Sequence, residues 1–372
     1  MLYFERDEYS QNNFLNDFRV LYDKLPLQEK DDFIGIVKGC TGTLLCCIQR
    51  YIHSGENKGE IYTITNKIIS QPVSFFSLGY GLAGLGWMIN VLKNFNLFDN
   101  IDEWLNDFET ELEKCYHLML YNKDLDYFRG ASGILFYFLK KDRLNKEIAK
   151  SYIDCLYERE KGIRPNYYID RNKNNINLGT PHGITGVILI LLLLKEQGEN
   201  FVDSLLIDLL EELLSFKKSN DLYYFPGTVS DDDESLSYLT WCYGDLMATY
   251  AILKAGILLE KRKYLDIVYP MLIKLSFRED CPNNLTLCHG YTSLTLVFRK
   301  MFEITNNKLL YNSSLKWQKM AIKTFYANFE NYQKNKVNVD YFENMSLFYG
   351  FPGFLLSFDR LFRKDCESIL LL

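Results

Sequence analysis

The chain reads as an all-α protein, an α/α barrel assembled from helical hairpins. Three observations predict this. A short glycine signature recurs seven times along the 372 residues, apolar runs follow it, and amphipathic segments precede it. Strand-like alternation is scarce.

The signature is a glycine, two residues, usually a second glycine, then an apolar run. It appears as Gly39-Cys40-Thr41-Gly42, Gly81-Leu82-Ala83-Gly84, Gly130-Ala131-Ser132-Gly133 and Gly183-Ile184-Thr185-Gly186. It continues in degraded form as Gly244-Asp245-Leu246-Met247 and Gly290-Tyr291-Thr292-Ser293, and ends as Gly350-Phe351-Pro352-Gly353. The first glycines recur every 42 to 61 residues, room for two ordinary helices and their connections. Glycine suits such turns because it adopts positive φ and lets backbones approach closely.

The runs after the signatures, such as Thr43 to Ile52, Leu85 to Phe95, Ile134 to Lys141, Val187 to Gln197 and Phe354 to Phe362, are apolar nearly all round. That composition suits a helix buried on most faces. Ile101 to Leu120 and Phe201 to Phe216 precede signatures and space charged residues between leucines and isoleucines, as outer helices do. Each repeat is therefore read as an outer helix, a glycine turn and an inner helix, closed into a ring so that no repeat exposes its apolar face. No spacing leaves room for an inserted domain, so residues 1–372 are read as one domain.

Composition narrows the functional class. Apolar residues make up 48% of the chain, enough for a large core. A formal charge of −6 argues against a nucleic-acid partner, which calls for a basic face, and leaves open a local basic groove for an acidic peptide. Nine cysteines, an odd and scattered set, and an N-terminus without a secretory pattern point to a reduced, cytoplasmic protein. The longest strongly apolar run, Ile184 to Leu194, falls short of the roughly 20 residues needed to span a bilayer. Peripheral membrane association stays open.

In a closed ring the N-terminal ends of the inner helices face one end of the barrel, so residues beside the signatures converge there. Those just before three of the glycines are chemically unusual: Pro181-His182, Trp241-Cys242-Tyr243 and Cys288-His289. Cys242, Cys288 and His289 form a Cys₂His set suited to zinc, with a fourth tetrahedral position left for water or substrate. Soft thiolates favour zinc over magnesium or calcium. Zinc with two thiolates and a neutral imidazole carries no net charge, which favours holding and activating a substrate thiolate over hydrolysis. An alcohol dehydrogenase uses a similar ligand set, so charge alone does not decide between these chemistries.

These residues resemble the lanthionine synthetase C-like (LanC) family, which includes lantibiotic cyclases. The likeness rests on Asn177-Leu178-Gly179-Thr180-Pro181-His182-Gly183-Ile184-Thr185-Gly186, on Trp241-Cys242-Tyr243-Gly244, on Cys288-His289-Gly290, and on Asp126-Tyr127-Phe128-Arg129-Gly130-Ala131-Ser132-Gly133. The glycine repeats extend it from about residue 30 to about residue 360. The resemblance implies an α,α-toroid of seven inner and seven outer helices with zinc at one end. It implies cyclisation of a dehydrated precursor peptide carrying a leader: a peptide cysteine adds to dehydroalanine or dehydrobutyrine to give a lanthionine or methyllanthionine thioether. A dehydratase and an exporter are the partners it suggests. Cys242, Cys288 and His289 match the zinc ligands, and His182 and Asp126 match the acid–base candidates. Tyr243 is expected to hydrogen-bond near the zinc or the enolate oxygen, and Trp241 to pack as a wall.

Blander roles stand beside these. His182 also fits a helix cap, Asp126 a turn or N-cap carboxylate, and Tyr243 a packed aromatic with a polar handle. Asp245 fits a charge complementing a helix dipole. Asp231-Asp232-Asp233-Glu234 fits a solvated loop or a contact for a basic leader. The sequence departs from the family where Gly244-Asp245-Leu246-Met247 replaces a second glycine motif. It departs again at Tyr238, where the family often has arginine; Arg129 is a candidate replacement. Three other readings remain at this point: transfer of glutathione or another free thiol to dehydroamino acids in proteins, a non-catalytic zinc-containing peptide scaffold, and a zinc-dependent alkyltransferase of the prenyltransferase kind.

Overall fold

The computed structural model describes residues 34–39, 41–55, 58–70, 75–95, 97, 101–141, 146–157, 169–170, 175–218, 223–229, 239–335, 341–342 and 344–372. Among them fourteen α-helices follow in order: α1 (Thr41–Ser54), α2 (Lys58–Ile69), α3 (Leu82–Lys93), α4 (Ile101–Tyr121), α5 (Ala131–Leu139), α6 (Lys146–Tyr157) and α7 (Ile184–Glu196). After these come α8 (Asp203–Ser215), α9 (Asp245–Leu258), α10 (Arg262–Ser276), α11 (Tyr291–Thr305), α12 (Lys308–Asn335), α13 (Phe351–Phe358) and α14 (Arg363–Ile369).

Every odd-numbered helix opens on a signature glycine, and together they form the inner ring. Each touches the next, and α13 returns to α1, so the ring closes. The burial follows the sequence. In α7, Ile184 through Leu194 are all buried, and each such leucine or isoleucine contributes roughly 1.5–3 kcal/mol. The helices α2, α4, α6, α8, α10 and α12 pack outside. In α6 only one face, Ile148, Ala149, Tyr152, Ile153, Cys155 and Leu156, is buried. The fold is an α,α-toroid.

Two features depart from the simple alternation. The run Phe354 to Phe362 is not one helix: α13 ends at Phe358, and Asp359 turns to extended backbone. The Asp359 carboxylate, 1% exposed, accepts Gln49 Nε2 at 2.6 Å, lies 2.7 Å from His53 Nε2 and takes the Leu361 N–H at 2.8 Å. Those bonds hold the chain out of helical conformation. Then α14 enters the hollow of the ring. Tyr127 OH donates to Ile369 O at 2.9 Å and Trp241 Nε1 to Leu370 O at 2.9 Å, so the turns before α5 and α9 both hold residues 369–370. Phe128, Trp241 and Phe348 meet above them with ring centroids 4.9 to 5.8 Å apart. They make an aromatic floor, and Trp241, fully buried, has the packing role expected of it.

A small antiparallel sheet interrupts the helices: β1 (Ile169–Asp170), β2 (Asn175–Asn177) and β3 (Thr228–Val229), with Ile176 opposite Val229. It leads directly into the turn before α7. Asp231 to Glu234 and Tyr238 lie outside the described residues, as do residues 1–33 ahead of the first signature.

Candidate metal centre

The turns before the inner helices share one construction. Gly81, Gly130, Gly290 and Gly350 each donate N–H to the carbonyl four residues back, at 2.9 to 3.1 Å. Most signature glycines have ordinary negative φ, so positive φ is not why glycine is there. The reason is close approach: a Cβ on Gly186 would sit 2.0 Å from Thr180 O, and one on Gly133 2.1 Å from Tyr127 O. Gly39, at φ 129°, and Gly244, at φ 85°, are the exceptions.

Backbone hydrogen bonds stitch successive turns together around the mouth. Val37 N–H bonds Gly79 O at 2.8 Å, Gly79 N–H bonds Phe128 O at 2.8 Å, and Tyr127 N–H bonds Pro181 O at 2.8 Å. Thr180 N–H bonds Cys242 O at 2.9 Å, Leu287 N–H bonds Phe348 O at 3.1 Å, and Phe348 N–H bonds Ile36 O at 3.2 Å. Six of the seven junctions are closed this way. Among the described residues no backbone hydrogen bond joins the turn 240–244 to the turn 284–290. A tether from Leu239 N–H to Asp280 O lies outside the two turns.

Cys242 and Cys288 flank that open junction. The sulfurs of Cys242 and Cys288 and a ring nitrogen of His289 all lie within 4.8 Å of one another. A tetrahedral zinc with Zn–S near 2.3 Å needs sulfurs about 3.8 Å apart, within reach of small side-chain rotations. Both cysteines are buried, at 8% and 3% exposure, and His289 is half-buried. The two thiols lie within hydrogen-bond reach of each other. The S–H of Cys288, with help from His289, holds the Cys242 thiol below the usual range and leaves the Cys288 proton hard to remove. A divalent cation replaces that proton naturally, because it stabilises two thiolates at once. The residues therefore fit a metal. Cys281 is nearby but burial pushes its thiol up to about 12, and its sulfur bonds Pro282 O at 3.4 Å.

The residues immediately before the first glycines stand in these turns, in the order Lys38, Tyr80, Arg129, His182, Tyr243, His289, Tyr349. His182 Nδ1 lies 2.5 Å from Asp126 Oδ2. The other oxygen of Asp126 accepts the N–H groups of Phe128 and Arg129, each at 2.8 Å. Asp126 thus closes the turn with one oxygen and holds His182 with the other. Held through Nδ1, the ring turns its Nε2 edge away from Asp126. The edge of the His182 ring meets Phe128 at 5.9 Å.

Tyr243 lies between the two clusters. Its phenol interacts electrostatically with Asp126 on one side and with Cys242 and Cys288 on the other, and burial pushes its pKa up. Asn177 Nδ2 donates to its oxygen at 3.4 Å. Asp245 stands in the first turn of α9, where a carboxylate complements the helix dipole, and it does more than that. It is 1% exposed, accepts the N–H groups of Tyr224 and Phe225, and pairs with Arg278 Nη1 at 2.5 Å. Its work is to clamp the segment 223–229 to the start of α9.

Three residues at the mouth carried no functional signal in the sequence reading. Tyr349 OH is 3.7 Å from Cys288 Sγ, and its ring is 5.7 Å from that of His289. Thr240 Oγ1 is 3.6 Å from Cys242 Sγ. Tyr80 supports the Arg129 guanidinium, 5.8 Å above its ring.

Comparison with known proteins agrees with this arrangement. A structural match is found to a solved chain described as "Nisin cyclase", at a TM-score of 0.71 and 17% identity, covering 97% of this chain and 98% of that one. At that identity the likeness shows the fold. No curated protein matches. The family model described as "Lanthionine synthetase C-like protein" matches residues 34–371. That span runs from the first glycine turn to the helix that plugs the ring, so the chain belongs to the lanthionine synthetase C-like family.

Proposed function

We propose that this chain is a zinc-dependent lanthipeptide cyclase that closes thioether rings in a dehydrated precursor peptide. One observation carries the reading: two sulfurs and an imidazole nitrogen within 4.8 Å of one another share a ring mouth with a histidine–carboxylate pair. The first cluster suits a soft metal and a thiol; the second suits proton transfer at neutral pH.

Zinc held by Cys242, Cys288 and His289 would keep a peptide thiol deprotonated at neutral pH. The thiolate adds to the β-carbon of dehydroalanine or dehydrobutyrine. One C–S bond forms, the C=C electrons move onto the α-carbon and its carbonyl, and one proton returns to the α-carbon. His182, with Nδ1 fixed by Asp126, presents Nε2 to take the thiol proton and to return one at the α-carbon. Tyr243 offers a phenolic O–H, kept protonated by burial, to the enolate oxygen. The aromatic floor excludes water beneath the mouth. Since the acceptor is a dehydrated serine or threonine, a dehydratase must act first. The peptide is met in solution or at a membrane surface; among the described residues no helix is long and apolar enough to cross a membrane.

The test is incubation of zinc-loaded protein with a dehydrated, cysteine-containing peptide, followed by thiol trapping and mass spectrometry. Cyclisation leaves the peptide mass unchanged and removes trappable thiols. Persistence of the thiols at the level of a no-enzyme control overturns the reading. Addition of the glutathione mass, with glutathione present, favours a thiol transferase. Cys288→Ala is expected to lose zinc and activity while keeping most helical signal. His182→Ala is expected to keep zinc and lose roughly a hundredfold or more in rate.

A further inference from the structure

Each cysteine of the candidate centre has one hydroxyl in hydrogen-bond range of its sulfur: Thr240 Oγ1 at 3.6 Å from Cys242 and Tyr349 OH at 3.7 Å from Cys288. The two hydroxyls are not equivalent. Thr240 gives its proton to Tyr243 O at 3.0 Å and receives the Tyr243 N–H at 3.3 Å. It is committed to its own turn. The hydroxyl of Tyr349 has Cys288 as its hydrogen-bond partner. A metal-bound thiolate has no proton to give, so in that state the phenol must be the donor.

The backbone fixes this contact in place. Cys288 N–H donates to Phe348 O at 3.3 Å, and Leu287 N–H to the same carbonyl at 3.1 Å, so residues 288 and 349 are held in register across the junction of their turns. Tyr349 N–H is tied to Ser346 Oγ at 3.3 Å. Its ring lies against His289, the third candidate ligand. One side chain therefore touches two of the three ligands, from a turn that supplies none.

Resting on the zinc reading above, we propose that Tyr349 is a positioning residue of the metal centre, donating its phenolic proton to the Cys288 thiolate. A dication with three thiolates, two from the protein and one from the substrate, carries a net negative charge. A hydrogen bond to Cys288 draws electron density off that ligand and leaves more of the metal's acidity for the substrate sulfur. It also fixes the Cys288 rotamer, so the site is pre-shaped before the metal arrives.

The experiment compares wild type with Tyr349→Phe, which keeps the ring against His289 and removes only the hydroxyl. Two readouts are taken on metal-stripped full-length protein: zinc affinity by competition with a chelator, and the sulfur-to-metal charge-transfer band after cobalt substitution. Loss of an outer-shell partner typically costs about 10- to 100-fold in metal affinity, and a fall of about tenfold is expected with a shift of the cobalt band. Far-UV circular dichroism checks that the variant is folded. Unchanged zinc affinity with an unchanged cobalt band overturns the role of Tyr349 and leaves the zinc reading intact. Failure of the wild-type protein to bind either metal overturns both.

Discussion

Gly186→Ala separates two accounts of the glycine signature by the sign of its effect. Gly186 is the third residue of α7, where helix propensity alone predicts that alanine stabilises by about 1 kcal/mol. The structure predicts the reverse. The new Cβ would sit 2.0 Å from Thr180 O, so carbonyl or helix must move by at least about 1 Å to reach a tolerable contact. Thr180 is 1% exposed, and it donates N–H to Cys242 O and Oγ1–H to Trp241 O, both at 2.9 Å. A shift of that size stretches both bonds past the useful limit. Losing two buried hydrogen bonds costs about 2–5 kcal/mol, against a propensity gain of about 1. The expected net is a destabilisation of about 1–4 kcal/mol, a fall in melting temperature of a few degrees, on the order of 1–5 °C, for a chain of this length. Gly59→Ala is the control. Gly59 lies in the first turn of α2 with nothing within 4 Å of its would-be Cβ, so alanine there should be neutral or raise stability by up to about 1 kcal/mol. Thermal unfolding of both variants decides the matter. A Gly186→Ala protein that melts at or above wild type refutes the close-approach explanation.

Two further outcomes follow from charge and from the open junction. Burial raises the Asp365 carboxyl to about 6, despite the nearby Lys140; its unfolded value is about 3.9. A carboxyl with a raised folded pKa lowers stability above that pKa and is harmless below the unfolded one. Stability should therefore decline from about pH 4 to about pH 6, and Asp365→Asn should flatten that slope and raise neutral stability by up to about 3 kcal/mol; melting curves across that range that match wild type would contradict it. Stripping metal should raise amide exchange in residues 240–243 and 286–289 by up to about a hundredfold, and leave the six backbone-bonded junctions unchanged; uniform loss of protection would show that the metal does not act at that seam.

Much of the ring was legible because repetition made it so. Seven signatures placed all seven inner helices, and the positions one and two residues before the glycine singled out His182, His289, Cys242 and Cys288 before any coordinates. Tyr349 occupies the first of these positions, yet a tyrosine before a turn reads as packing, and only its distance to Cys288 gives it a role. Sequence does not distinguish the two carboxylate oxygens of Asp126; the structure gives one to the turn and the other to His182. The sheet was invisible because strands of two or three residues carry no period to detect. The first-turn place of Asp245 was legible, but its clamp was not, because its partners, Tyr224, Phe225 and Arg278, are 20 to 33 residues away in sequence.

The degraded signature at Gly244 also has a structural reading. The turns at Gly81, Gly130, Gly290 and Gly350 close through the glycine N–H, whereas the turn 240–244 closes through the Thr240 hydroxyl, which both receives the Tyr243 N–H and donates to its carbonyl. Gly244 then takes positive φ, a conformation costly for any other residue. This turn still bonds backward to Thr180 but sends no backbone bond forward to the turn holding Cys288. The Cys242 and Cys288 sulfurs face each other across that junction. A metal ion bound there would make a link that the backbone does not. The same three ligands would then close the ring and hold the reacting sulfur, which ties the stability of this mouth to its chemistry. Gly244→Ala would strain the turn before it touched any ligand, so loss of metal in that variant would mark the backbone of residues 240–244 as part of the centre.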